Sequence, residues 1–142
     1  MVLTGQTLLA GDARGPVVAL APLSFWGGFD PETGLVTDHS HSFFGESLTG
    51  VVLVMSASRG SSSSASVLAE AIRLGTAPAA IVLAEPDAIL LAGAVVAAEL
   101  YGRTCPVALL SPDDHARLAT AGFAAVETGS EGAVVRIEPA LA

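Results

Sequence analysis

The chain has 142 residues, of which 51% are hydrophobic and 14% are charged. This composition excludes a disordered chain and is sufficient for one hydrophobic core, so we expect a single domain over residues 1–142. Fourteen acidic residues against six basic ones give a net charge of −8. A chain this acidic, without a basic cluster, is a poor partner for nucleic acid or an anionic membrane.

The chain contains one cysteine, Cys105, which excludes an intrachain disulfide and a cysteine-ligated cluster. Its position beside Pro106 favours a small buried apolar residue over a reactive thiol. No basic residue precedes the short N-terminal apolar stretch, as a signal peptide would require. The longest apolar run, 88–98, is too short to cross a bilayer. We therefore expect a cytoplasmic protein without a membrane segment.

The first half of the chain predicts strands and one long irregular segment. Residue pattern predicts strands at 4–9 and 17–20, with a turn at 11–16 between them. The stretch 22–50 is rich in glycine and aromatic residues, and an irregular segment this long is usually functional in a small domain. The continuous apolar run 51–55 predicts a buried strand.

The second half of the chain alternates strands with helices. Apolar residues at helical spacing predict a helix over 62–74 that stops at Gly75. A second helix is predicted over 87–100, with Asp87 as its N-cap and Gly102 after its end.

A third helix is predicted after Ser111, an N-cap residue followed by proline, with its end near 121–122. Four further strands are predicted, at 79–83, 107–110, 124–127 and 133–137. The alternation predicts an α/β fold, with parallel strands joined by crossover helices and a further β layer from the first half.

The strongest chemical signal lies in the loop between the strand 51–55 and the following helix. At such a junction, backbone N–H groups and the positive end of the helix dipole point toward any ligand that lies above the loop. Gly60 permits a tight turn, and Arg59 offers a planar cation suited to carboxylate or phosphate. The hydroxyls of Ser61 and Ser62 supply donors and one candidate base. The pattern predicts an anion site with a proton-transfer group, and a serine-rich N-cap is the alternative. A nucleotide-binding P-loop is excluded because its Gly-Lys-Ser/Thr ending is absent.

Two other motifs lie in the irregular segment. The aromatic residues and paired glycines of 24–29 suit either a wall against a ligand or partner, or a hydrophobic plug over the core. Asp-His-Ser-His at 38–41 lacks a third metal ligand at suitable spacing, so we expect no metal site. Hydrogen-bonded loop histidines, or one histidine lining a site, are the alternatives.

Four motifs in order give the chain a resemblance to the small subunit of aconitase X enzymes. They are Ser-Phe-Trp-Gly-Gly-Phe-Asp-Pro-Glu-Thr-Gly at 24–34, His41 with Gly-Glu-Ser-Leu-Thr-Gly at 45–50, Arg-Gly-Ser-Ser-Ser-Ser-Ala-Ser-Val-Leu at 59–68, and Ala-Pro-Ala-Ala-Ile-Val at 77–82. The resemblance runs from about residue 11 to residue 106. The chain departs from the family at Ser42, where a proline usually follows the histidine.

The resemblance implies a swivelling β/β/α domain, similar to the fourth domain of aconitase. It implies a large partner subunit that carries an iron–sulfur cluster and most substrate contacts. It also implies that Ser61 accepts the proton in a β-elimination of water from a hydroxy-carboxylate, with the cluster iron acting on the leaving hydroxyl. The residues expected to bind substrate around Ser61 are Arg59, Gly60, Ser62, Gly28, Asp30 and His41.

Enzymes of this architecture dehydrate cis-3-hydroxy-L-proline or (R)-5-phosphomevalonate. The alanine-rich, lysine-free composition resembles bacterial proteins and favours hydroxyproline. Two other classes stay open, namely a non-catalytic binding module that kept the swivel fold and a stand-alone phosphate-binding protein. On the dehydratase interpretation, we expect the chain to be inactive without its large subunit.

Overall fold

Seven strands close into a barrel in the computed structural model, which describes residues 1–138. They are β1 (Val2–Leu9), β2 (Gly11–Ala19), β5 (Val52–Val54), β6 (Ala80–Leu83), β7 (Val107–Leu109), β8 (Phe123–Gly129) and β9 (Gly132–Glu138). Their order around the barrel is β1–β7–β6–β5–β2–β8–β9. The run β2–β5–β6–β7 is parallel, and the β1–β7, β1–β9, β8–β9 and β2–β8 pairs are antiparallel. The predicted α/β fold with an added β layer is confirmed.

The central parallel strands β5, β6 and β7 are almost fully buried, which explains their continuous apolar runs. In β5, Val52 and Val54 join the cluster that fills the barrel. Leu53 and the following Met55 join a second cluster, formed with the helices outside the barrel. Alternate residues of one strand therefore belong to two different cores.

Three helices follow the parallel strands: α2 (Ser64–Leu74), α3 (Ala88–Tyr101) and α4 (Pro112–Ala119). Asp87 caps α3 and Ser111 caps α4, each accepting from backbone N–H groups of the first turn, as predicted. Gly93 lets α3 approach α2 closely, since a β-carbon there would lie 2.5 Å from the carbonyl oxygen of Ala65. None of the helices within residues 1–138 has the length and apolarity needed to cross a bilayer.

The irregular segment covers the outer core. It contains the four-residue element α1 (Phe25–Gly28) and a small hairpin of β3 (Phe29–Asp30) and β4 (Leu35–Val36). Phe25 and Phe29 are buried and pack against each other, with ring centroids 5.1 Å apart, whereas Trp26 is 59% exposed. The motif is therefore a core plug at its two phenylalanines and an exposed surface at its tryptophan.

The predicted turn at 11–16 is wrong, because those residues form the first part of β2. They pair with β8, from Gly11 opposite Thr128 to Pro16 opposite Phe123. At Val17 the strand changes partner and pairs with β5. The glycine and proline that resemble turn residues mark this change of partner, where a missing side chain and a missing N–H are tolerated.

Cys105 is buried, as expected from its setting. Its Sγ donates to the carbonyl of Pro78 at 3.4 Å, and burial raises the pKa of the thiol to about 12. The residue acts as a small apolar part of the outer core.

Candidate active site

The loop between β5 and α2 is exposed at the four residues that the sequence singles out, Arg59, Gly60, Ser61 and Ser62. Gly60 has φ +94°, a backbone conformation that favours glycine. Before this glycine, the N–H of Arg59 donates to the carbonyl of Leu23 at 3.3 Å. After it, the carbonyl of Ser61 accepts from the N–H of Ser64 at 3.0 Å, which starts α2. The loop is thus fixed at both ends and open in the middle.

The hydroxyl of Ser61 is exposed and has a backbone donor within hydrogen-bond distance. Its Oγ accepts a hydrogen bond from the N–H of Ser63 at 3.1 Å. Its own O–H donates to no group among residues 1–138, and the N–H groups of Gly60, Ser61 and Ser62 are likewise uncommitted there. An amide donor and the N-terminus of α2 favour an anion at this oxygen.

Arg59 carries the positive charge of the loop. It forms no ion pair with any carboxylate in the described part of the chain, whereas Arg14, Arg73, Arg117 and Arg136 each form one. An exposed guanidinium without an internal partner is available to a carboxylate or phosphate of a ligand.

Asp38 lies near Arg59, although the sequence alone gave it no role in this site. Hydrogen bonds from the hydroxyl and the N–H of Ser40, at 2.7 and 2.9 Å, lower the pKa of Asp38. Burial raises the pKa, and the charges of His41 and Arg59 have smaller effects that lower it. The carboxylate of Asp38 thus lies within the electrostatic range of Arg59 without forming an ion pair with it. Sequence spacing could not pair residues 38 and 59, since only the tertiary fold brings them together.

The aromatic segment lies directly against the serine loop. A β-carbon at Gly60 would lie 2.5 Å from the Oγ of Ser24. The N–H of Trp26 donates to the Oγ of the buried Ser64 at 3.1 Å, and the Oγ of Ser24 donates to the carbonyl of Trp26 at 3.0 Å. The structure therefore joins two motifs of the sequence, 24–28 and 59–64, in one surface.

Gly28 is buried beneath this surface. A β-carbon at Gly28 would lie 3.2 Å from Cδ1 of Leu23 and 3.6 Å from Cβ of Asp38. The side chain of Leu23 leaves little room for a β-carbon at Gly28, whereas Asp38 lies at ordinary van der Waals distance. Gly28 thus contributes through packing, without an exposed face of its own.

His41 has both ring nitrogens engaged. Nδ1 accepts from the N–H of Phe43 at 3.1 Å, which makes Nε2 the donor to the carbonyl of Ala21 at 3.1 Å. Of the two alternatives given for the histidines, a hydrogen-bonded loop residue or a residue lining a site, the contacts of His41 correspond to the first. His39 stacks on Phe44, with ring centroids 4.3 Å apart. Among the described residues, no group of three or more His, Cys, Asp or Glu has a geometry that could hold a metal ion.

The structure does not bring Asp30 together with Ser61. Its carboxylate oxygens accept from the N–H of Glu32 at 2.9 Å and the hydroxyl of Thr33 at 3.1 Å, in a local turn. The neighbouring carbonyl of Pro31 accepts from the hydroxyl of Thr76, just beyond the C-terminal end of α2. Ser61 precedes the other end of this 11-residue helix, which is about 16 Å long.

Ser58 and Asp87 form a link at the base of the loop that the sequence analysis missed. The Oδ2 atom of Asp87 accepts from both the N–H and the hydroxyl of Ser58, at 2.7 and 2.5 Å. Burial raises the pKa of Asp87, but hydrogen bonds from Ser58, Leu90 and Ile89 outweigh it, and the pKa is lowered overall. The N-cap position of Asp87 was visible in the sequence, whereas its second contact depends on two loops meeting at one edge of the sheet.

Comparison with known proteins gives one consistent family. Residues 2–136 match the family described as the aconitase X swivel domain. A cis-3-hydroxy-L-proline dehydratase of Pseudomonas aeruginosa is 48% identical over 110 residues, which are 77% of this chain and 19% of that protein. The chain thus spans about a fifth of the length of this relative.

A phosphomevalonate dehydratase small subunit of Pyrococcus furiosus is 40% identical over 98 residues, which are 68% of this chain and 73% of that subunit. A crystal structure of Thermococcus kodakaraensis aconitase X in its holo-form superposes with a TM-score of 0.80 at 28% identity, over 98% of this chain and 99% of that one. Sequence and fold agree, and the chain belongs to the aconitase X swivel-domain family.

Proposed function

We propose that the chain is the small subunit of a heteromeric aconitase X-type hydro-lyase, with Ser61 as the proton acceptor. The observation that carries this proposal is the state of Ser61. Its hydroxyl is exposed, accepts from the N–H of Ser63, and stands among uncommitted amides beside the unpaired Arg59. Family membership supplies the reaction class, since the relatives described above are named dehydratases.

The chemistry assigned to this chain is the removal of one proton. Arg59 binds the substrate carboxylate, with the N–H groups of Gly60 and Ser62 as further donors. The alkoxide form of Ser61, favoured by the N–H of Ser63 and the N-terminus of α2, takes the proton from the carbon next to that carboxylate and becomes the neutral hydroxyl. The electron pair of the broken C–H bond forms the double bond, and the hydroxyl on the next carbon leaves as hydroxide, which takes up a proton from solvent to give water.

We assign the iron–sulfur cluster that the family implies to a large partner subunit. The residues described in this chain do not fit such a cluster, because its one cysteine is buried, with a thiol pKa raised to about 12. The loop 59–62 is open to solvent, and a second protein surface is needed to exclude water from a proton transfer. The partner in this proposal therefore supplies both the cluster and the opposite wall of the site.

We propose cis-3-hydroxy-L-proline as the substrate. This amino acid carries one carboxylate and one ammonium, and the neighbouring charges of Arg59 and Asp38 match such a pair. Phosphomevalonate carries a carboxylate and a phosphate, and Asp38 disfavours a second anion beside Arg59. Phosphomevalonate is nonetheless the competing candidate, because the Pyrococcus furiosus relative is named for that substrate.

Co-expression with a large aconitase X subunit from the same genome tests the proposal. We expect the two chains to co-purify and the complex to dehydrate cis-3-hydroxy-L-proline, with each subunit inactive alone. Turnover of (R)-5-phosphomevalonate instead identifies the competing substrate. A chain that stays alone beside every such partner contradicts the proposed function and favours a stand-alone binding module.

A further inference from the structure

The start of the serine loop is tied to the junction between β6 and α3. The carbonyl of Ser56 accepts from the N–H groups of Ala84 and Glu85, at 3.1 and 3.0 Å. Two residues later, Ser58 donates twice to Asp87. Ser58 is thus held by a side chain from another element, and it directly precedes the exposed segment 59–62.

Asp87 divides its two oxygens between two tasks. Oδ1 accepts from the N–H groups of Ile89 and Leu90, both at 3.1 Å, and so caps α3. Oδ2 serves Ser58 alone. A serine or threonine, which also caps helices well, has one side-chain oxygen and fills only the first task. A helix cap requires only one acceptor oxygen at this position, and the carboxylate of Asp87 supplies a second one for Ser58.

We propose that Asp87, through Ser58, is a positioning residue that sets the direction in which the segment 59–62 leaves the barrel. The proposal rests on the proposed function, because its catalytic consequence is the placement of Ser61. Ser61 is three residues from Ser58, and the intervening Gly60 adds conformational freedom. Without an anchor at Ser58, Ser61 moves relative to α3, and misplacement of a reacting group by about 1 Å costs up to about a hundredfold in rate.

Four variants separate the anchor from the helix cap. Ser58→Ala removes the hydroxyl bond of the link, keeps the backbone N–H bond to Asp87, and leaves the α3 cap intact. Asp87→Ser keeps a capping oxygen and removes the link. Ser58→Thr keeps the hydroxyl and serves as the rescue. Ser111→Ala removes the cap of α4, which has no contact with the loop, and serves as the control for a general loss of stability.

Two measurements are made on each variant: kcat and KM of the complex with the large subunit, and ¹⁵N relaxation of residues 59–62 in the full chain alone. We expect Asp87→Ser, which removes both bonds, to lower kcat roughly tenfold or more, and Ser58→Ala to lower it by a smaller factor, with a smaller change in KM for each. The double variant should lose no more than the worse single one, because the two residues act as a unit. Ser58→Thr and Ser111→Ala should stay within about twofold of the wild type, a margin far below the effect expected from misplacement.

In the relaxation data, the order parameters of residues 59–62 should fall when the link is removed and stay unchanged in Ser111→Ala. A kcat within twofold of the wild type for Asp87→Ser, which removes both bonds of the link, overturns the proposal, whether or not the loop loosens. Additive losses in the double variant overturn it as well. An inactive wild-type complex contradicts the proposed function instead, and the relaxation data alone then decide whether Asp87 orders the loop.

Discussion

The hydroxyl oxygen of Ser24 lies 2.5 Å from the place that a β-carbon would take at Gly60. Gly60 also has φ +94°, so an alanine there suffers both a clash and an unfavourable backbone conformation. We expect Gly60→Ala to separate the serine loop from the aromatic segment and to lower turnover of the complex by more than about tenfold. Gly102→Ala is the matched control, since Gly102 has φ +63° and open space around its α-carbon. Equal effects of both variants on turnover contradict the specific role of the Ser24 contact.

Ser61→Ala should abolish turnover of the assembled complex without preventing assembly. The substitution removes the one atom to which we assign the proton, and it leaves the backbone amides and Arg59 in place. The control is Ser66→Ala, an exposed serine in the first turn of α2, the helix that follows the loop. The measurements are kcat and the yield of complex from gel filtration. A near-normal kcat in Ser61→Ala rules out the assignment of the base.

Arg59→Gln should weaken substrate binding far more than it weakens folding. Loss of a charged hydrogen bond costs about 1.5–3 kcal/mol, so we expect KM to rise roughly ten- to a hundredfold. Arg103→Gln is the control, because Arg103 is also exposed and also lacks a carboxylate partner among residues 1–138. If both variants raise KM equally, the cause is a general effect of net charge, and the specific contact between Arg59 and the substrate is contradicted.

The cap at Asp87 should make part of the stability depend on pH in the acidic range. The pKa of Asp87 in the folded chain lies below its ordinary value of 3.8. The carboxylate therefore stabilises the fold fully above that value, and this contribution is lost as pH falls through the lowered pKa. In urea unfolding, Asp87→Asn should be clearly less stable than the wild type at neutral pH, and the difference should shrink at about pH 3.

The control for this pH dependence is Ser111→Ala, which removes a cap that does not titrate. Its destabilisation, about 1 kcal/mol, should be the same at both pH values. A difference between Asp87→Asn and the wild type that is independent of pH contradicts the ionised cap.

Gly93→Ala should destabilise the chain although alanine favours helices. In an ordinary helix the change gains about 1 kcal/mol, but here the new β-carbon would lie 2.5 Å from the carbonyl oxygen of Ala65. The clash forces α2 and α3 apart, and overpacking of this kind costs about 1–3 kcal/mol. Gly129→Ala, which meets nothing within 4 Å, is the control. Equal free energies of unfolding for Gly93→Ala and the wild type would mean that the clash costs only about the 1 kcal/mol gained in helix propensity, and would contradict the predicted destabilisation.

The elements that the sequence predicted correctly are those with local signals. Asp87 and Gly102 delimit α3 because a capping oxygen and a left-handed glycine act within one turn of the helix. The apolar run that contains Leu53 predicts its strand because burial on both faces leaves no polar position. Closure of the barrel could not be predicted from the sequence, because it depends on pairing between residues far apart in the chain, such as Val2 and Arg136.

The same division applies to the site. The sequence could place Arg59 and Ser61 in one loop because they are neighbours in the chain, and their roles stay predictions. It could not show that Asp30 lies toward the C-terminal end of α2, away from Ser61, because a shared motif does not indicate which end of a helix a residue reaches. The Ser58–Asp87 contact was missed because the fold alone brings these two residues together.

The closed order of the seven strands limits how this chain can bind another protein. Each of the seven strands pairs with two neighbours, although β1 and β2 change partner midway, so within residues 1–138 the barrel offers only short unpaired stretches to an added strand. Side chains and loops therefore offer another protein more binding surface on the barrel than strand addition does. The surface formed by 24–28 and 59–64 presents such groups, and a contact of this kind can slide or rotate without breaking a backbone ladder.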